Sequence, residues 1–188
     1  MKKVAFVVMV VALLLFSVTF AKADVSVTIY SGFYNNSGVG DGTPFSNPVQ
    51  TFTSPDIQFG TNNGWRWWPV APNTGFGAQI IGTLNTAVAG AYSFGLASDD
   101  GSRLYVNGSV ALEALDDHGP GGPSGYIYLN AGANPFVLNF YENGSGDSGV
   151  DLYVPQGVLY GNVPLPASLL LFGPGLVGLA AIRRRFTK

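Results

Sequence analysis

The segment Ser98-Asp99-Asp100-Gly101-Ser102-Arg103-Leu104-Tyr105-Val106-Asn107-Gly108 joins two runs that read as strands. Before it, Tyr92, Phe94 and Leu96 alternate with Ser93, Gly95 and Ala97; after it, Leu104 and Val106 alternate with Arg103 and Tyr105. This period of two is the signature of a strand with one buried face, and Asn107-Gly108 is a strong two-residue hairpin signal. Two adjacent carboxylates therefore stand in a loop at the end of a sheet. Side chains on neighbouring extended residues point to opposite faces. For Asp99 and Asp100 to ligate one ion, the backbone has to be unusual, for example a non-proline cis peptide.

Outward from that segment the pattern persists. Val25, Val27 and Ile29 alternate with Ser26, Thr28 and Tyr30 and read as an opening strand. Residues 31–55 are polar and rich in Gly, Asn and Pro, which predicts a long surface excursion. Gly64-Trp65-Arg66-Trp67-Trp68-Pro69 holds all three tryptophans. They suit either a cover over the sandwich edge or a sugar-stacking platform, and the cover is the better reading because core aromatics outnumber binding ones. Residues 78–84, 126–129 and 136–141 supply further strands, and 150–154 is expected to close the sheet. No helix longer than a turn is expected between the terminal apolar runs. The fold class that follows is all-β.

The two ends read as export signals. Met1-Lys2-Lys3, an apolar run from Val4 to Phe20, and Ala21-Lys22-Ala23 have the layout of a signal peptide over residues 1–23. That leaves a domain over residues 24–162. At the other end, Val163-Pro164-Leu165-Pro166 precedes the apolar stretch Ala167 to Ile182, which runs into Arg183-Arg184-Arg185. Residues 163–188 resemble a PEP-CTERM sorting segment, with Pro164-Leu165-Pro166 in place of the usual Pro-Glu-Pro. The resemblance implies a Gram-negative bacterium and an exosortase partner. It also implies a transient membrane anchor through the C-terminal segment, with the cell surface or extracellular matrix as destination.

Between the two signals, eleven acidic residues face only Arg66 and Arg103, a net charge of −9 against −2 for the whole chain. Such a surface repels phosphate backbones, so no nucleic-acid partner is expected, while divalent cations suit it. There is no cysteine, hence no disulfide in an oxidising destination.

From Trp65 to Tyr153 the chain resembles the protective-antigen fourteen domain. The resemblance rests on Gly90-Ala91-Tyr92-Ser93-Phe94, the Ser98–Gly108 segment, Leu129-Asn130-Ala131-Gly132 and Phe140-Tyr141-Glu142-Asn143. It implies an antiparallel β-sandwich that serves as a lectin head in fungal flocculins, although the cysteines of those lectins are missing here. Calcium takes six to eight oxygen ligands. Asp99 and Asp100 offer carboxylates, and the loop from Glu142 to Gly149 is dense in oxygen donors. By the resemblance, Asn143 adds a side-chain ligand, and Ser145 and Asp147 add backbone carbonyls. A bound sugar then completes the shell, which makes Asp99, Asp100 and Asn143 the carbohydrate-binding residues as well. The competing reading is that Asp-Asp-Gly only caps the loop's own N–H groups. Glu142 itself reads as a solvated loop charge.

Other chemistry is thin. His118, the lone histidine, has no soft ligands around it for zinc and no nucleophile motif for hydrolysis. It reads as a loop histidine bonded to nearby carboxylates. Carboxylate pairs for glycoside hydrolysis can be nominated among Glu113, Glu142 and the aspartates, with nothing that sets two of them across a cleft. The Asn-x-Ser triplets at Asn35, Asn107 and Asn143 carry little weight in a bacterial chain. The reading is a non-enzymatic, exported, calcium-assisted binder of carbohydrate, such as exopolysaccharide. The alternative is a structural envelope or biofilm-matrix protein with no sugar binding.

Overall fold

The alternation of apolar and polar residues is realised as strands paired without exception in antiparallel fashion. The structure is a computed structural model that describes residues 24–32, 34, 39, 45–61, 64–65, 75–144 and 148–161. The expected signal peptide over residues 1–23 and the expected sorting segment with Val163, Pro164, Leu165, Pro166, Arg183, Arg184 and Arg185 lie outside them. Ten strands are formed among the described residues: β1 (Val25–Ser31), β2 (Pro48–Ser54), β3 (Phe76–Thr86), β4 (Gly90–Asp99), β5 (Ser102–Val106), β6 (Ser109–Ala114), β7 (Ser124–Leu129), β8 (Gly132–Glu142), β9 (Gly149–Tyr153) and β10 (Val158–Tyr160).

A larger sheet has the order β2-β1-β3-β8-β5-β6, with β10 joining β3 beyond the end of β1. A smaller sheet has the order β7-β4-β9. The apolar faces of both enter one core. Val27, Ile29, Ile80, Leu104, Leu138 and Phe140 come from the larger sheet, and Phe94, Leu96, Leu129, Val150 and Leu152 from the smaller. Phe76 and Phe140 meet edge to face with centroids 5.7 Å apart, a favoured arrangement of aromatic quadrupoles. The all-β chain expected from the period-two pattern and the antiparallel sandwich implied by the resemblance are the observed fold.

Three local expectations change. The excursion over residues 31–55 contains β2, which pairs along β1 as an edge strand. Its side chains are mostly exposed, so it lacks the apolar alternation that marks a strand, and Pro48 sits at its first position, where a missing N–H is tolerated. The 150–154 segment does not close the larger sheet: β9 pairs with β4 in the smaller one. Finally, the strands flanking Asp99-Asp100 belong to different sheets. The chain passes from β4 in the smaller sheet to β5 in the larger one through Asp99-Asp100-Gly101. The Asn107-Gly108 turn is as expected, with φ of 53° and 80°, the left-handed values a two-residue hairpin of this type requires.

Candidate functional site

The sheet-to-sheet crossing determines what gathers around the aspartates. Ser102 opens β5 opposite Phe140 of β8, so the crossing lies beside the last residues of β8, Tyr141 and Glu142. The Tyr141 N–H donates to the Gly101 carbonyl at 2.9 Å. Ser98 and Ser102 bridge the crossing below with a buried hydroxyl–hydroxyl contact of 2.7 Å. The Asp99–Asp100 peptide bond is cis.

Asp99, Asp100 and Glu142 converge: one carboxylate oxygen from each lies within 4.8 Å of the others, and all three residues are buried. Each Asp100 oxygen accepts one backbone N–H, Oδ1 from His118 and Oδ2 from Asn143, both at 3.0 Å. Asp100 thereby fastens two loops to the crossing. Glu142 is 2% exposed. Its Oε1 accepts the Gly144 N–H at 2.7 Å, while its buried Oε2 has no hydrogen-bond partner. Burial pushes the Glu142 carboxyl up to about 8, and the Asp100 and Asp99 charges add to that rise, against the pull of the Gly144 N–H. An acceptor buried without a donor is costly unless a cation or proton occupies it.

The surroundings are oxygen-rich. The Tyr141 hydroxyl donates to the Leu115 carbonyl at 2.8 Å and to Asp117 Oδ1 at 2.7 Å, and burial holds its ionisation well above the ordinary phenol range. Asn143 Nδ2 donates to Asp117 Oδ1 at 3.4 Å, and Asn143 Oδ1 accepts the Tyr34 N–H at 3.1 Å. An amide oxygen has two lone pairs, so Oδ1 keeps one acceptor position.

Of the expected site residues, Asp99, Asp100 and Asn143 are brought together here, and Ser145 and Asp147 lie outside the described residues. Glu142 is a correction: it is no solvated loop charge but a buried member of the cluster. The alternation along Phe136, Leu138 and Phe140 predicts Glu142 on the core side, yet a carboxylate at a strand end reads as solvent-facing until its neighbours are known. His118 meets Asp100 through its backbone N–H, while its ring Nδ1 contacts the Gly119 carbonyl at 2.8 Å. Trp65 packs its ring over Gly60, where a Cβ would come within 2.6 Å, in keeping with a covering role; Trp67 and Trp68 lie outside the described residues.

A second buried acid, Asp151, carries no sequence signal. Its Oδ1 accepts the Gly60 N–H at 2.7 Å, its Oδ2 accepts the Thr61 N–H at 2.9 Å, and the Thr61 hydroxyl donates to Oδ2 as well. The Tyr153 hydroxyl adds a longer bond to Oδ2 at 3.3 Å, and together these contacts anchor Gly60 and Thr61 to β9.

The sequence model of the PA14 domain, the protective-antigen fourteen domain, matches residues 35–134. No curated protein matches the chain. Among solved structures, the PA14 domain of the MpAFP antifreeze protein superposes with a TM-score of 0.56 at 17% identity, covering 75% of this chain and 86% of that one. A PA14 sugar-binding domain from an RTX adhesin gives 0.55 at 18%, covering 74% and 94%. The epithelial adhesin 9 A domain of Candida glabrata, solved with Galβ1-4GlcNAc, gives 0.51 at 11%, covering 76% and 91%. At these identities the likeness is one of fold.

Proposed function

The chain belongs to the PA14 domain family, and from that premise we propose that it binds carbohydrate through a calcium ion held at the β4–β5 crossing. The observation that carries the reading is the convergence of Asp99, Asp100 and Glu142 with one buried oxygen left unpartnered. A hard divalent cation fits this donor set, because it is all oxygen and strongly anionic. Asp99, Asp100 and Glu142 would hold the ion by their carboxylates and Asn143 by its amide oxygen, with the Ser145 and Asp147 carbonyls from the adjoining loop. When bound, calcium supplies a Lewis-acid centre that accepts the vicinal hydroxyls of a sugar. The protein's part is to aim the carboxylates, which the His118 and Asn143 N–H groups do by fixing both oxygens of Asp100.

The sugar-binding RTX adhesin domain and the glycan-bound Candida domain support the ligand class. The reading is of a binding module and not an enzyme, exported to the cell surface or matrix, where exopolysaccharide is the available glycan. The 163–188 segment would be its exosortase substrate and temporary membrane anchor.

Calorimetric titration of calcium into the chelator-stripped full chain, beside the Asp99→Asn/Asp100→Asn variant, tests the reading. Heat in the wild type that vanishes in the variant, followed by calcium-dependent retention on a glycan array, is expected. A folded wild type that binds neither calcium nor glycan would sink it and leave a structural matrix protein.

A further inference from the structure

The outer face of the smaller sheet is built unlike an ordinary solvated face. On β4, Phe94 and Leu96 point into the core, so Ala91, Ser93 and Gly95 point outward. The register sets Tyr128 opposite Ala91, Tyr126 opposite Ser93, and Tyr153 of β9 opposite Gly95. Tyr126 is 81% exposed, Tyr128 63% and Tyr153 47%. A floor with no side chain larger than serine thus runs between tyrosine rings on both sides. A Cβ at Gly95 would stand 3.2 Å from Tyr153 Cδ2, so the glycine lets that ring lie down against the strand. Tyr126 and Tyr128 are two residues apart on one strand, roughly 6.6 Å.

Two further features indicate an occupant. The exposed outward positions (Ala91, Ser93, Gly95, Ser124, Tyr126, Tyr128 and Tyr153) carry no charge, on a domain of net charge −9, and the one acid of this face, Asp151 beside Tyr153, is fully buried. Strand β7 is an edge of its sheet, and its outward face lacks the lysine or proline with which edges are normally protected. Large aromatics displayed in a row on such an edge invite association. A second copy of the chain is a poor fit: three tyrosines bury about 150–250 Å² each. That falls short of the ~800 Å² per partner of a stable interface. A sugar chain is a good fit. Its pyranose C–H faces lie flat on aromatic rings, and its rim hydroxyls reach the phenol groups of Tyr126 and Tyr128 and the Ser93 hydroxyl, while the Tyr153 hydroxyl is held by Asp151 and Thr61.

We infer that this face is a second carbohydrate subsite, independent of any cation, for a neutral polysaccharide strand. It shares with the proposed function only the class of ligand. A neutral chain is specified because an acidic one meets the repulsion of the whole domain.

The test is affinity electrophoresis of the purified full chain in EDTA, through gels cast with hydroxyethylcellulose, galactomannan, laminarin or, as the anionic comparison, alginate. Retardation by at least one neutral polymer and none by alginate is expected. Tyr126→Ala/Tyr128→Ala should weaken the apparent affinity at least tenfold. Tyr126→Phe/Tyr128→Phe, which keeps the stacking faces, should stay within about threefold of wild type. Several results would overturn the inference: no retardation by any neutral polymer, equal retardation by alginate, or an alanine pair that folds and migrates as wild type. Wild-type self-association that the alanine pair abolishes would overturn it too, by making the face an interface between copies. In a parallel gel with calcium in place of EDTA, retention seen only there overturns this subsite and leaves the calcium site standing.

Discussion

The ring of Tyr141 lies so close to Gly101 that a Cβ on residue 101 would stand 2.2 Å from Tyr141 Cε1 and 2.7 Å from Cζ. The same ring sends its hydroxyl to Leu115 and Asp117. Glycine at 101 is therefore what allows the crossing from β4 to β5 to lie flat against the end of β8, with Asp100 on one side and Glu142 on the other.

Gly101→Ala should cost about 1–3 kcal/mol, the range for forcing an extra methyl into a packed site. The displaced Tyr141 should also spoil the carboxylate cluster. Urea unfolding measures the first effect and calcium titration the second. A variant with unchanged stability and unchanged titration would show that the ring yields freely.

Asn134 offers a contrast, a buried polar residue with a wholly structural task. Its Oδ1 accepts Asn107 Nδ2 and the Asn130 N–H, each at 2.9 Å. Its Nδ2 reaches the Asn130 carbonyl at 2.8 Å and the Leu84 carbonyl at 3.3 Å. Asn134→Ala strands these partners, and with ~1–3 kcal/mol for each buried group left unpaired, a loss of about 2–4 kcal/mol is expected. Calcium and glycan titrations should not move, because the residue sits at the opposite end of β8 from Glu142.

The all-β class was legible in the sequence because the core strands keep the period-two pattern, as in Val25-Val27-Ile29 and Phe136-Leu138-Phe140. Asp99 and Asp100 stood out as two adjacent acids in a strand-ending loop, and the capping use weighed for them is visible at Asp100, which accepts the His118 and Asn143 N–H groups. Strand β2 was hidden because an edge strand with both faces wet has no pattern to show. Glu142 and Asp151 were hidden for another reason. What buries them is a segment distant in sequence, the Asp99-Asp100 crossing for one and Gly60-Thr61 for the other. No local window contains that fact.

Asp151→Asn should release the segment over residues 58–61. The carboxylate takes N–H groups from Gly60 and Thr61 together with the Thr61 hydroxyl, and an amide retains only one acceptor oxygen for them. A loss of about 1.5–3 kcal/mol is expected, as for hydrogen bonds to a charged acceptor. Limited proteolysis should then cut near residues 58–61 in the variant before the wild type. Equal resistance would mean that the β9 backbone bonds at Phe59 and Ile57 suffice to hold the segment.

Glu142 couples pH to both stability and cation binding, with opposite signs. Its carboxyl moves from an ordinary 4.5 to about 8 in the folded chain. Between those values the native state keeps a proton that the unfolded state has released, so stability in EDTA should fall as pH rises through that window. The slope is at most about 1.4 kcal/mol per pH unit, that of a single proton. The groups that face it are the Asp99 and Asp100 carboxylates at the crossing and the Gly144 N–H. Calcium reverses the sign: the ion replaces the proton, so its affinity should climb with pH over the same range and level off above about 8. Glu142→Gln removes both dependences. In EDTA above pH 8 the variant should melt above the wild type, since a neutral amide relieves the repulsion; in calcium it should melt below. Thermal melts from pH 5 to 9, with and without calcium, give four curves whose crossing is the expected outcome. A Glu142→Gln variant whose calcium-induced rise in Tm equals that of the wild type would remove Glu142 from the ion's ligands.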